Sequence, residues 1–211
     1  MTTSVITLPA DVQLSEFTMG QQRFDLEQAS DVTGSSSAVA FGFPRWRVSL
    51  RAKQNLDLAE AGWWEAATLL LRGRQNRIAV FDPVRALPLG TMRGSPQLSA
   101  TAAAGANTAA LSAGLSQAGA TLLAGDWLQL GSGYGTSQLV KVTQNLTLDS
   151  SGNGTVQFEP ELRKQLAPGT VVNYTRPVAY YGLVSAPPTW SRQTNNTLTD
   201  GFSFDLLEQW A

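Results

Sequence analysis

The chain has neither cysteine nor histidine among its 211 residues. Without cysteine, disulfides and thiolate chemistry are excluded, and a structural zinc site loses its usual ligands. Without histidine, the commonest general base and the commonest transition-metal ligand are missing. Catalysis would have to use Asp, Glu, Lys, Tyr or Ser, and a metal site would need the oxygen ligands that calcium and magnesium prefer.

Charge is also scarce. Charged residues make up 15% of the chain and the net charge is −1, whereas roughly a quarter of the residues are charged in a typical globular domain. Nucleic-acid binding needs a sustained positive field, so no nucleic acid is expected as a partner. A low-charge surface fits a subunit that buries much of itself against neighbours, and it equally fits an ordinary β-rich domain.

Long apolar runs are absent. The first residues, MTTSVITLPADVQ, have no basic start and no apolar run of signal-peptide length. No segment approaches the roughly 18 consecutive apolar residues that indicate a membrane span. We therefore expect a protein that is made in a cytoplasm and does not insert into a membrane.

Alternating apolar and polar residues predict a mainly β fold. Val12–Met19 and Gln22–Gln28 have strand character and are separated by Gly20, which predicts a hairpin. Ser35–Ser37 are predicted to form a polar loop. Residues 45–51 alternate strictly, so they predict a half-buried strand with an apolar face and a cationic face.

One helix is predicted over residues 57–72. Asp57 can cap it, and Glu60 stands three residues later, as in a capping box. The segment is rich in Ala, Leu and Glu, and Gly73 is a natural stop. Its apolar stripe is wide, so we expect the helix to be buried on more than one side.

The chain divides into three regions of different texture. Residues 1–90 and 177–211 carry the longer strands and the helix, and we expect their strands to pair with one another. Residues 91–176 contain several short strands and are predicted to form an inserted small β-domain. The predicted fold is therefore a β-barrel or sandwich-like domain with one packed α-helix, plus an inserted β-domain.

Acidic residues are the only candidates for catalysis. Glu159 and Glu161 flank a proline, but a glycosidase needs two carboxylates facing each other across a cleft. The loop beginning at Asp149 superficially resembles a calcium loop, yet its twelfth position is Pro160 instead of the required acid. We therefore assign no catalytic, cofactor-binding or metal-binding residue, and we expect the protein not to be an enzyme.

Several segments, taken in order, resemble one protein family. They are PRWRVSL at 44–50, the Glu/Ala/Trp helix, LRGRQNR at 71–77, FDP at 81–83, LAGDWLQLG at 123–131, QLVKV at 138–142, GNGTVQFEPELR at 152–163 and GFSFD at 201–205. From about residue 40 onward the chain resembles the distal tail proteins of long-tailed siphophages and prophages. The order of the segments carries the resemblance, since no single motif is diagnostic.

The resemblance implies a structural protein of the virion tail tip, assembled in the host bacterial cytoplasm. It implies a belt domain, formed by residues 1–90 and 177–211, that closes into a ring, with a hexamer favoured. Such a ring joins the tail tube protein to the baseplate hub and tape-measure proteins, and an inserted domain can hold receptor-binding proteins or bind host glycans. Two alternatives are a carbohydrate-binding or adhesin module working alone and an Asp/Glu-based hydrolase of the cell wall.

Arginine and tryptophan indicate where subunits would meet. The chain has six tryptophans, and it has twelve arginines against three lysines. Both residue types are favoured at the centres of protein interfaces, and arginine is the less strongly hydrated cation. Phosphate binding and plain solvation are the other interpretations of the arginines. The candidate interface residues are Arg45, Arg47, Arg51, Trp63, Arg72, Arg74 and Arg77.

Overall fold

The computed structural model describes residues 3–9, 12–29, 36–184, 188–192 and 199–210. Within these residues the chain is mainly β, with one α-helix and one short 3-10 helix, which confirms the predicted fold class. The elements, in chain order, are β1 (Val5–Thr7), β2 (Leu14–Gln22), β3 (Asp25–Ala29), β4 (Ser36–Ala40), β5 (Arg45–Ala52), α1 (Leu58–Leu70), β6 (Arg77–Val80), β7 (Gln97–Leu98), β8 (Thr108–Ser112), the 3-10 helix (Leu115–Gln117), β9 (Thr121–Leu122), β10 (Trp127–Leu130), β11 (Gln138–Val142), β12 (Leu146–Thr147), β13 (Asn153–Glu159), β14 (Val172–Asn173), β15 (Ala179–Leu183), β16 (Ser191–Arg192), β17 (Thr199–Asp200) and β18 (Ser203–Glu208).

The first sheet has six strands in the order β1-β6-β15-β18-β5-β2. β1 and β6 are parallel, and the other neighbouring pairs are antiparallel. β5 shows the predicted alternation, with Trp46, Val48 and Leu50 buried on the inner face. Strands from before residue 90 therefore share this sheet with strands from after residue 177.

The hairpin predicted at Gly20 is wrong. β2 continues through Gly20, which lies opposite Arg47, and pairs with β5 along its whole length. A partner strand that is distant in sequence supplies backbone hydrogen bonds on both sides of the glycine, so no turn forms there. The polar loop is also wrong where it can be tested, because Ser36 and Ser37 lie in β4, which pairs with β3. Ser35 lies outside the described residues.

α1 begins with the predicted capping box. The Glu60 backbone N–H donates to the Asp57 carboxylate at 2.8 Å, and the Glu60 carboxylate accepts from the Asp57 N–H at 3.2 Å. The helix has 13 residues and its C-cap is Leu71, close to the predicted end. In the described part of the chain, no helix is long and apolar enough to cross a bilayer.

α1 packs on the first sheet through one side only. Ala61, Trp64, Ala67 and Thr68 are buried, and the Trp64 ring lies 6.0 Å from that of Phe202. The expectation that the helix is buried on more than one side is therefore wrong for the single chain. The wide apolar stripe continues onto a side that the chain itself leaves exposed.

The second sheet also has six strands, in the order β14-β10-β11-β13-β8-β7, and all its neighbouring pairs are antiparallel. It has its own apolar core, which includes Leu128, Val140, Val156 and Phe158. The buried carboxylate of Asp126, just before β10, holds the neighbouring loops together. It accepts hydrogen bonds from the backbone N–H groups of Leu89, Gly90 and Leu123 at 2.7, 3.2 and 2.8 Å.

The two sheets meet at a pair of tryptophans. Trp46 of β5 and Trp127 of β10 contact edge to face, with ring centroids 4.8 Å apart. The Trp46 indole N–H donates to the Leu139 carbonyl at 2.9 Å, and the Trp127 indole N–H donates to the Asp82 carboxylate at 3.0 Å. Trp127 and Leu139 therefore belong to the core of the first sheet as well as to strands of the second.

Candidate subunit interface

The acidic residues singled out in the sequence are used in local contacts. The Glu159 carboxylate lies 3.1 Å from the Arg23 guanidinium in an exposed ion pair. The Asp149 carboxylate accepts from the backbone N–H groups of Ser151 and Asn153, which lower the pKa of Asp149 and close a turn. Among the described residues, no group of three or more acidic side chains is placed to hold a metal ion.

Arg47 and Arg51 lie on the exposed outer face of β5. The Arg51 guanidinium is 3.6 Å from the Glu16 carboxylate of the neighbouring strand. Arg47 lines a shallow groove with Gly20, and no ion pair within the described ranges involves it. Both guanidinium groups are therefore accessible to a partner.

Arg45, by contrast, is used inside the chain. Its guanidinium lies 4.3 Å from the centroid of the Trp210 ring, and that of Arg163 lies 4.2 Å from the same ring. Arg163 also pairs at 3.2 Å with Glu208, whose carboxylate accepts from the Trp46 backbone N–H at 3.1 Å. Arg45 thus belongs to the junction between the two sheets.

Burial controls the titration of this junction. It raises the pKa of the Glu208 carboxyl, and the positive charge of Arg163 only partly offsets it. Burial likewise lowers the pKa of Arg163, with Glu208 acting in the opposite direction. The pKa of Lys141 is lowered first by burial and then by the charge of Arg85. Desolvation is the leading cause of the pKa shift in all three groups, as expected for charged groups taken out of water.

The arginines after α1 differ in their availability. Arg77 donates to the backbone carbonyls of residues 74–76, at 2.8, 3.2 and 3.0 Å, and so closes the turn into β6. Arg74 is exposed and donates to the Val184 carbonyl at 2.6 Å. Arg72 is exposed, and its guanidinium makes no hydrogen bond or ion pair within the described part of the chain.

Trp63 is half-buried beside the apolar groove between α1 and the N-terminal segment. Its ring meets that of Trp64 edge to face, 4.9 Å between centroids and 80° between planes. The two rings therefore form no flat platform for a sugar, as the helical spacing predicts. Other residues that line the groove are Pro9, Val12, Gln13, Leu56, Ala59 and Glu60.

The most distinctive surface is one that sequence reasoning did not assign. The exposed side of α1, called here the helix outer face, carries no charged residue and consists of Leu58, Ala59, Gly62, Ala66, Leu69 and Leu70. The leucines are 56%, 69% and 53% exposed. The wide apolar stripe was the available indication, but periodicity alone does not say which part of a stripe the chain covers itself.

A second exposed apolar surface lies on the β3–β4 arm, the two-stranded hairpin of residues 24–29 and 36–41. Leu26 lies opposite Val39, and the Phe41 N–H donates to the Phe24 carbonyl at 2.7 Å. Strand alternation places these four side chains on one face, and Leu26, Val39 and Phe41 are all more than half exposed. No sequence prediction included this arm, because residues 36–37 were assigned to a loop.

No protein-family model and no curated protein matches this chain. The function therefore has to be inferred from the chemistry of the exposed surfaces. The described residues combine two exposed apolar surfaces with accessible arginines. Exposed apolar patches of this kind are typical of surfaces that contact a partner.

Proposed function

We propose that this chain is a structural subunit of a phage tail tip, where copies of it form a closed ring between the tail tube and the baseplate hub. Six copies are the number that the family resemblance implies. The chain acts as a connector with no catalytic activity of its own. It is assembled in the host cytoplasm and works in the virion.

The helix outer face is the observation that carries this proposal. A helix on the surface of a monomeric protein normally shows charged residues to water, and a helix that is apolar all round is normally buried. The helix outer face has six apolar or small residues. The two acidic residues of α1, Glu60 and Glu65, form ion pairs with Lys53 and Arg192. Such a patch is expected to be covered in the working assembly.

Glycan binding has less support from the geometry. Sugar sites depend on exposed aromatic platforms, yet Trp46, Trp64 and Trp127 are buried and the other three tryptophans are only half exposed. The paired carboxylates of a hydrolase also find no cleft, since Glu159 is held by Arg23. A connector protein needs neither an aromatic platform nor a cleft with paired carboxylates, and it would use the exposed apolar surfaces.

Light scattering over a concentration series tests the proposal. We expect a discrete assembly whose mass is a whole multiple of the 22.6 kDa chain, six-fold if the ring is hexameric. Electron microscopy of that species should show a closed ring with a central channel. A protein that stays monomeric at every concentration and binds host cell-wall glycan would contradict the proposal and favour the adhesin alternative.

A further inference from the structure

We propose that, in the ring, the β3–β4 arm of one copy docks its apolar face on the helix outer face of the next copy. This inference rests on the proposed function, and it names the two surfaces through which the chain would recognise itself. The partner is therefore a second copy of this chain. The helix and the arm supply different halves of one repeating contact.

The arm has the shape of a docking element. β3 and β4 pair with each other, and every side chain described in β4 is exposed. Alternation places Leu26 and Val39 on one face and Asp25 and Glu27 on the other. One side of the arm is thus apolar and the other acidic, although both are exposed to solvent in the single chain.

Gly62 indicates that the helix outer face receives a closely packed partner. It lies within α1, has no left-handed φ, and a Cβ atom there would meet nothing within 4 Å. Neither backbone conformation nor packing within the chain requires glycine, although glycine costs about 1 kcal/mol relative to alanine inside a helix. A small residue at this point lets a neighbouring backbone come close, as glycine does where another chain approaches.

The arm and α1 leave β5 at opposite ends of the strand. The arm leaves β5 before Arg45, whereas α1 begins at Leu58, after the opposite end of the strand. Eight residues of strand separate the two departures by about 26 Å. Trp64 fixes α1 near that far end, because it packs on Phe202 and Phe204 at the start of β18. Both surfaces stay exposed in the single chain, so the arm that docks on the helix outer face in this proposal belongs to another copy.

Two different surfaces at separated positions give a head-to-tail contact. Such a contact repeats by rotation and closes into a ring when the rotation divides a full turn. Arg72 and Arg74 follow the helix, and no ion pair of the described chain involves either of them. Asp25 and Glu27 lie on the face of the arm turned away from this contact, so they leave its apolar face free of charge. An apolar centre beside polar or charged residues is typical of specific interfaces.

Two blocking variants test the contact. Leu69→Glu places a negative charge on the helix outer face, and Leu26→Glu places a charge of the same sign on the apolar face of the arm, so the two blocked surfaces also repel each other. Both positions are at least 60% exposed, so each variant should fold, which circular dichroism checks. We expect each variant alone to lose at least ten-fold in self-association. The matched control is Leu115→Glu, at a leucine 74% exposed but outside both surfaces, and it should assemble like the natural chain.

Mixing the two variants gives the decisive result. Each retains one intact half of the contact, so an equimolar mixture should form a heterodimer of twice 22.6 kDa that grows no further. If the natural chain forms a ring that both variants also form, the arm-to-helix contact is overturned while the proposed function stands. If the arm variant still self-associates and only the helix variant fails, the helices meet each other and the inference is equally overturned. A natural chain that is monomeric at millimolar concentration also overturns this contact, but leaves open assembly with tube and hub proteins.

Discussion

The Arg163 guanidinium lies 3.2 Å from the Glu208 carboxylate. This ion pair joins the segment between β13 and β14 to β18 of the first sheet. Its side chains are 13% and 4% exposed, respectively. Four further ion pairs of the described residues have at least one partner more than a third exposed. Loss of the Arg163–Glu208 pair should therefore lower the free energy of unfolding more than loss of any of these four.

Replacing Arg163 by methionine should leave a buried, uncompensated carboxylate. We expect Arg163→Met to lower the free energy of unfolding by about 3–5 kcal/mol at pH 7. The loss should shrink on acidification. The pKa of Glu208 is already above its ordinary value of 4.5 in the folded chain, and removing the Arg163 charge raises it further. Stability from this group is therefore lost as the pH rises from 4.5 through the raised pKa.

Urea unfolding at several pH values between 4.5 and 7 measures this effect. The matched control is Arg23→Met, which breaks the exposed Arg23–Glu159 pair of almost the same length, 3.1 Å. It should change stability by at most about 1 kcal/mol, because water screens exposed pairs. Equal losses from both variants, or a loss in Arg163→Met that is independent of pH, would contradict the role given to burial.

Asp126→Ala should unfold the beginning of the second sheet. The Asp126 carboxylate is 1% exposed and accepts three backbone N–H groups, so its removal leaves three donors unpaired. We expect a loss of about 1–3 kcal/mol, since a buried unsatisfied donor costs about that much and the Gly90 donor is buried, whereas those of Leu89 and Leu123 are partly accessible to water. Hydrogen exchange should accelerate at residues 89, 90 and 123. Asp149→Ala, which removes an exposed carboxylate from a turn, should cost much less.

Gly152→Ala and Gly105→Ala separate backbone strain from steric conflict. Both glycines have a left-handed φ, +76° and +79°, so alanine costs roughly 1–2 kcal/mol at either position. A Cβ on Gly152 would collide with the Gly114 carbonyl oxygen, whereas one on Gly105 would meet nothing within 4 Å. Urea midpoints should show a further loss of roughly 1–3 kcal/mol for Gly152→Ala. Equal losses would show that the turn can move aside.

Gly62→Ala should change folding and assembly in opposite directions. In dilute solution, where copies are separate, alanine should stabilise the chain by about 1 kcal/mol because glycine is the poorer helix former. At high concentration the added methyl group should weaken self-association if a neighbouring backbone packs on Gly62. Thermal unfolding at low concentration and sedimentation at high concentration measure the two effects. An increase in both stability and association would show that nothing packs closely on this glycine.

Local sequence patterns predicted the local structure well. The capping box of α1 and the alternation of β5 both depend on residues within one element, and both are present. The turn predicted at Gly20 failed because β2 takes its hydrogen bonds from β5, about thirty residues away, and a distant partner strand overrides a local preference.

The candidate site was harder to predict for the same reason. Arg45 stood among the accessible arginines in the sequence, yet its guanidinium lies on Trp210, at the other end of the chain. The wide apolar stripe predicted burial on more than one side of α1, although the first sheet covers only one side of the helix. Composition indicates that apolar residues and arginines are available for contacts. The topology decides where on the surface they lie.

The pairing of β6 with β15 has an evolutionary consequence. Val80 and Ala179 lie opposite each other, so the chain leaves the first sheet and returns to it at neighbouring points. Changes in the length of the intervening segment therefore need not alter the register of the strands in that sheet, provided that the contacts of Trp127, Leu139 and Arg163 with it are kept. The topology thus allows the intervening module to vary at its outer loops while the first sheet, α1 and the arm keep their structure.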